Sequence, residues 1–440
     1  MRRVVFVGNR QIEVLARLCR QFGDGERSGR AIYIAAHRRP SDDGWKALAA
    51  ADVIVEQLQD FKPKIDLSGL SGSAERIAVP LASGGFLWPF AGQAHPGNPS
   101  LPYLPYPAEW GDAYLNRMIS RGADPQATVA AYLALDVNDL VDLDRLYQRT
   151  LEKQRQRDAA TGFSVAKIIA EHFRDEAVFL TPLHPNRRVA LALADQLFRR
   201  LDIGAAERER MNRTLQATPF PKDELPIHPS VARHFGLRYI GEGHRFRLVN
   251  EGRLTFAEYA LRYMEGRWNA ALAEGLALAE GGDPAAARDR LRAGLAVAPE
   301  AAAGYAALGR VLARLGQREE AIETARRAAA LEPEDASYHA GLAALLRDAG
   351  NFAEAERECR TALALDPTDA RSAALLVDVL RRADRPEEGV EIARAAAESL
   401  PDDLDCLISL AQFLIEAGDL AAAEAALRRA IAIAPQDARA

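Results

Sequence analysis

The chain has 440 residues, 48% of them apolar and 27% charged, which is the balance of ordinary globular protein and long enough for two or more domains. Its cysteines, Cys19, Cys359 and Cys406, are odd in number, widely separated and without C-x-x-C spacing, so neither a disulfide framework nor a cysteine-rich metal site is expected. The net charge of −6 divides unevenly: from Trp268 onward 19 arginines, no lysine and 30 acidic residues give −11, leaving +5 for the rest. An acidic C-terminal half argues against nucleic acid as partner, and a mildly basic N-terminal half suits a small anionic ligand. No apolar run reaches the roughly 18 residues of a membrane span. Gly8, Asn9, Arg10, Gln11 and Glu13 interrupt the first apolar run too early for a secretory signal, so the expected location is cytoplasmic.

The first element is a strand through Val4, Val5, Phe6 and Val7. It meets Gly8 and Asn9, after which the apolar spacing becomes helical at Ile12, Leu15, Ala16, Cys19 and Phe22. Further strands are expected at residues 31 to 35, 51 to 58, 76 to 80 and 176 to 182. Helices are expected at 109 to 121, 138 to 158, 163 to 172 and 187 to 201. The alternation predicts a three-layer α/β domain whose mainly parallel sheet is covered on both faces. The proline-rich stretch from 86 to 107 reads as irregular, a lid or binding wall.

Polar residues gather after the strands: Gly8, Asn9, Arg10 and Gln11; then His37, Arg38 and Arg39; then Gln57; then His184, Pro185, Asn186, Arg187 and Arg188. In a parallel sheet these carboxyl ends share one edge, so one crevice is expected. His184 suits a general base, and His95 in the long loop is a second candidate. Asn9 and Gln11 can offer amide N–H groups to an oxyanion or cap the first helix. Arg10, Arg38, Arg39, Arg187 and Arg188 can engage phosphates or face solvent. Motifs for a phosphate-binding loop, a dinucleotide turn and a hydrolase elbow are absent. His228 and His234 lack a zinc-binding pattern, and no metal is expected.

From residue 268 the sequence repeats. Pro299, Pro333, Pro367, Pro401 and Pro435 are 34 apart, as are Gly282, Gly316, Gly350, Asp384 and Gly418. Small residues recur at Ala287, Ala321, Ala355, Gly389 and Ala423. This resembles five tetratricopeptide repeats, which implies an all-α solenoid over 268–440 with a concave face for a protein partner. Trp268, Tyr305 and Tyr338 serve there as exposed anchors or as packing.

The ordered segments VGNRQ, ADVIVEQL, FAGQAHPGN, FLTPLHPNRRVALALADQL and LPIHPSV resemble the WcbI family of polysaccharide-biosynthesis acetyltransferases across about residues 1 to 265. The resemblance implies a coenzyme A-binding domain over 1–267 that moves an acetyl group from acetyl-CoA onto a capsular sugar or its precursor. It carries over Gly8, Asn9, Gln11, Gln57, His95 with Pro96, His184 with Pro185 and Asn186, and Pro229. Members commonly read G-N-C-Q at the first turn, whereas this chain has Arg10 in place of the cysteine. Without that thiol nucleophile the expectation is direct transfer with His184 or His95 as base. The alternative is a non-catalytic ligand-binding scaffold that organises a biosynthetic complex.

Overall fold

A computed structural model describes residues 2–22, 31–36, 39–58, 65, 67, 74–96, 111–217, 224–248, 251–266, 269–366, 369–383, 385–399, 404–416 and 418–433. His37, Arg38 and Trp268 lie outside them, as does the second half of the proline-rich stretch, residues 97 to 107.

The chain begins with β1 (Val4–Gly8), α1 (Arg10–Phe22), β2 (Ile32–Ala35), α2 (Asp42–Ala49), β3 (Val53–Leu58) and β4 (Glu75–Pro80). The four strands form a parallel sheet in the order β2-β1-β3-β4. In β1, Val4 and Phe6 pack with Val53, Val55 and the α1 residues Ile12 and Leu15. Val5 and Val7 face the other way, toward Ile34, Ile54 and Leu48 of α2. Alternate side chains of a strand reach opposite faces, and here both faces are apolar, which is why the strands read as continuous hydrophobic runs.

Next come β5 (Ala91–Gly92), β6 (Gly111–Asp112), α3 (Ala113–Ser120), α4 (Pro125–Ala134), α5 (Leu143–Thr161) and α6 (Ala166–His172). They are followed by β7 (Phe179–Thr181), β8 (His184–Pro185), α7 (Arg187–Arg200), α8 (Ala205–Ala217), α9 (Pro229–Phe235), β9 (Phe246–Leu248), β10 (Gly252–Leu254) and α10 (Phe256–Glu265). Two expectations change. The segment expected as a fifth sheet strand instead folds back on itself as the antiparallel pair β7–β8. Pro182 interrupts it, because proline has no N–H for a ladder. The start of the proline-rich stretch is core rather than lid: Phe86 and Leu87 are fully buried, and the Phe86 ring meets those of Tyr147, Phe173 and Phe235 edge-on.

Ten helices complete the described chain: α11 (Ala270–Gly281), α12 (Pro284–Val297), α13 (Ala302–Arg314), α14 (Arg318–Leu331), α15 (Ala336–Asp348), α16 (Phe352–Leu365), α17 (Ala370–Arg382), α18 (Pro386–Ser399), α19 (Leu404–Glu416) and α20 (Leu420–Ile433). They pack as five successive pairs. Gly282, Gly316, Gly350 and Gly418 hold positive φ angles of 104°, 80°, 80° and 81° at the turns between partners, where a side chain would be strained. Tyr338 is buried and Tyr305 is half-buried against its neighbours, so both pack the array. On one side, arginines 34 apart reach the next repeat: Arg292 pairs with Glu320, Arg326 with Glu354 at 2.8 Å and Arg360 with Glu388 at 3.2 Å.

The β9–β10 hairpin joins the two regions. Buried Glu251 pairs with Arg262 of α10 and accepts the backbone N–H of Asn269 at 2.7 Å. The Asn269 side chain donates to the Gly294 carbonyl at 2.8 Å. Arg247 pairs with Glu332 and lies 3.7 Å from Asp335, both between α14 and α15.

Candidate functional site

In the order β2-β1-β3-β4 the chain leaves β1 toward β2 on one side and returns to β3 on the other. The carboxyl ends of β1 and β3 therefore flank a switch point, the place where open α/β sheets hold ligands. Gly8 ends β1 there. A Cβ on it would lie 2.7 Å from Ile12 Cβ and 3.0 Å from Gln57 Cβ, so only glycine lets β1, α1 and β3 meet this closely. Asn9 then caps α1, its Oδ1 accepting Gln11 N–H at 2.8 Å, while its own N–H donates to Gln57 Oε1 at 3.0 Å.

Gln11 is buried and fully engaged. Its Nε2 donates to the carbonyls of Ala82 at 2.8 Å and Leu183 at 2.6 Å, and its Oε1 accepts Ala82 N–H at 3.0 Å. One amide thus stitches α1 to the segment after β4 and to the β7–β8 turn. The convergence expected from a five-stranded sheet is achieved by these bonds instead. Gly84 N–H and Ser83 Oγ both donate to the Pro182 carbonyl, at 2.9 and 3.3 Å, which fixes the turn from its other side.

That turn presents His184 beside α1. Its Nδ1 is 2.7 Å from Thr181 Oγ1. Burial, and then the Arg10 guanidinium, lower its pKa to about 4, so the imidazole is neutral at physiological pH. Arg10 itself is exposed at the first position of α1. Asn186 caps α7 through Val189 N–H at 3.2 Å. Arg187 is half-buried, and exposed Arg188 pairs with Glu176. Arg39 is exposed after β2. The switch point therefore gathers Gly8, Asn9, Arg10, Gln11 and Gln57, with the turn that carries His184 tied to them through Gln11, and Asn186 opening the next helix. Thr181 escaped the sequence reading; the only available signal is its place three residues before His184 across a proline turn.

His95 belongs to a different group. It is buried, its Nε2 lies 2.9 Å from the Tyr263 carbonyl, and its ring meets that of Tyr263 edge-on at 4.8 Å. Burial lowers its pKa. Tyr263 Oη in turn accepts Asp112 N–H at 3.0 Å and donates to Asn116 at 2.7 Å. The Asp112 carboxyl caps α3 through Leu115 N–H at 2.9 Å and accepts Tyr132 O–H at 2.7 Å, beside a cavity of about 30 Å³ lined also by Trp88, His228 and Tyr259. Burial pushes Asp112 up to about 6 against those hydrogen bonds. His228 is held by the Tyr132 carbonyl at 2.8 Å, whereas His234 pairs with Asp144 at 3.2 Å. Among the described residues no group of three or more His, Cys, Asp or Glu side chains is placed to hold a metal ion.

Residues 3–206 match the family model described as polysaccharide biosynthesis enzyme WcbI. The chain opens with a WcbI domain. Tetratricopeptide-repeat models match residues 272–330, 306–370 and 380–440, so the WcbI domain of polysaccharide biosynthesis is followed by repeats of the type that binds protein partners. No curated protein matches the chain. Solved structures resemble its repeat region. "MamA 41-end from Desulfovibrio magneticus RS-1" is 19% identical over 38% of this chain and 96% of its own, with a TM-score of 0.35. "Crystal structure of YrrB: a TPR protein with an unusual peptide-binding site" is 18% identical over 39% and 88%, at 0.33. "Functional Characterization of Pseudomonas Aeruginosa pilF" is 21% identical over 39% and 78%, at 0.36. No helix among the described residues is long and apolar enough to cross a membrane.

Proposed function

We propose that the WcbI domain is an acetyl-CoA-dependent O-acetyltransferase acting on a sugar or polysaccharide precursor, with the repeats docking a protein partner. The observation that carries this reading is the pairing of a neutral, oriented His184 with the exposed cation Arg10 at the switch point of the sheet. Arg10 sits where its charge opposes the helix dipole, an arrangement relieved by an anion; a CoA phosphate supplies one. His184 takes the proton of the acceptor hydroxyl as its oxygen attacks the thioester carbonyl, the carbon–sulfur bond breaks and the CoA thiolate leaves. Burial is the larger cause of the weak basicity of His184, and an anion beside Arg10 offsets the smaller one, the Arg10 charge.

A second reading, a degenerate acetyltransferase that binds CoA without turnover, is favoured by the arginine at the family's cysteine position and by the low basicity of His184. Thermal shift with acetyl-CoA, CoA and nucleotide sugars tests binding, because a ligand of the native state raises apparent stability. Transfer assays on His184→Gln and Arg10→Cys then separate the readings. The enzyme reading expects His184→Gln to retain CoA binding and lose transfer by about 100-fold or more. Turnover found only in Arg10→Cys establishes the scaffold.

A further inference from the structure

The β7–β8 hairpin holds two side chains whose chemistry is linked. Thr181 and His184 face each other across a two-residue turn, and both turn carbonyls are pinned, Pro182 by Gly84 and Ser83 and Leu183 by Gln11. Thr181 is 1% exposed, so water does not compete for its hydroxyl. That hydroxyl lies 2.7 Å from His184 Nδ1, the length of a good hydrogen bond. A neutral imidazole carries one proton, and a base acting through Nε2 must carry it on Nδ1.

We infer that Thr181 is the positioning residue of this site: its Oγ1 accepts the Nδ1–H of His184, fixing the ring plane and the tautomer that leaves the basic lone pair on Nε2. The inference rests on the reading of His184 as a base. It adds how that base is aimed. A hydroxyl in this place orients the ring as a carboxylate does in hydrolytic triads, but brings no negative charge to stabilise an imidazolium. The site therefore has an oriented base of low basicity, weakened first by burial and second by the Arg10 charge.

The test uses the full-length protein. Nitrogen-15 chemical shifts of labelled histidine, assigned with His184→Gln, read the tautomer directly: the inference expects Nδ1–H in the parent and a mixture in Thr181→Val, which keeps the shape and loses the hydroxyl. Thr181→Ser restores the parent tautomer. In acetyl transfer, Thr181→Val should lower kcat about tenfold, the rate equivalent of one neutral hydrogen bond, with KM unchanged. A parent protonated on Nε2 overturns the inference, as does a Thr181→Val protein with the parent's tautomer. Should the parent transfer no acetyl group, the proposed reaction fails while the nitrogen spectra still decide the role of Thr181. If Thr181→Val does not fold, Thr181→Ser and the parent spectrum carry the decision.

Discussion

Replacing Asp112 with Asn should stabilise the protein as pH rises, although it removes a carboxylate that accepts two hydrogen bonds. The native pKa of about 6 stands well above the usual 3.8 because burial outweighs the bonds from Leu115 and Tyr132. At about 1.4 kcal/mol per pKa unit, that displacement corresponds to ~3 kcal/mol. The folded state holds this proton more tightly than the unfolded chain. Its contribution is present in full below about pH 4, falls as pH rises to about 6 and is lost above that. Asn keeps the cap on α3, since Asn and Asp are equivalent N-caps. It leaves the Tyr132 hydroxyl without its acceptor, at a cost that does not change with pH. Relative to the parent, Asp112→Asn should therefore gain about 2 to 3 kcal/mol between pH 4 and pH 8. His184 titrates in the opposite sense over part of this range but is common to both proteins and cancels. Urea unfolding followed by tryptophan fluorescence measures the difference, because all 4 tryptophans fall at or before residue 268 and report on the WcbI domain and its junction. A gap between the two proteins that stays constant across pH refutes the reasoning.

Three further outcomes are expected. Gly8→Ala places a methyl group against Ile12 and Gln57 Cβ, and should cost about 1 to 3 kcal/mol by overpacking, read as a fall in urea midpoint at unchanged slope; an equally stable variant shows that β1 can shift aside. Gln11→Ala strands the buried Ala82 N–H and should cost about 1 to 3 kcal/mol, with faster amide exchange at residues 82 to 84 and 183; unchanged exchange contradicts the stitching role. Arg247→Ala leaves Glu332 and buried Asp335 without their cation, and should lose about 1 to 3 kcal/mol after allowance for its partial exposure. Calorimetry should then show the repeats and the WcbI domain melting apart, and coincident transitions at the parent Tm count against the hairpin as a clasp.

The parts of this architecture visible in the sequence are those encoded locally. Val4 to Phe22 announces strand, turn and helix within one window, and the glycines and prolines 34 apart announce the repeats, because each unit contacts mainly its neighbours. What was hidden depends on distant partners. The bond between His95 and the Tyr263 carbonyl spans 168 positions, and that between Gln11 and Leu183 spans 172. No periodicity reports such pairings. The β7–β8 hairpin is not legible locally, because a short apolar run followed by proline looks the same whether it enters a sheet or turns back on itself. Asp112 went unnoticed since an aspartate before a helix is an ordinary cap, and only the packing of Tyr132, Tyr263 and Phe90 around it makes its charge costly.

The arginine–glutamate pairs along the repeats have a mechanical consequence. Each ties one repeat to the next, as a guy line steadies the segments of a mast. The line after Arg360 and Glu388 would run from Arg394 to position 422, which is Ala422. Stiffness should thus step down between the fourth and fifth repeats. Ionic strength becomes a dial for the first four: near 1 M salt, where screening reaches about 3 Å, these links slacken and the array flexes more evenly along its length.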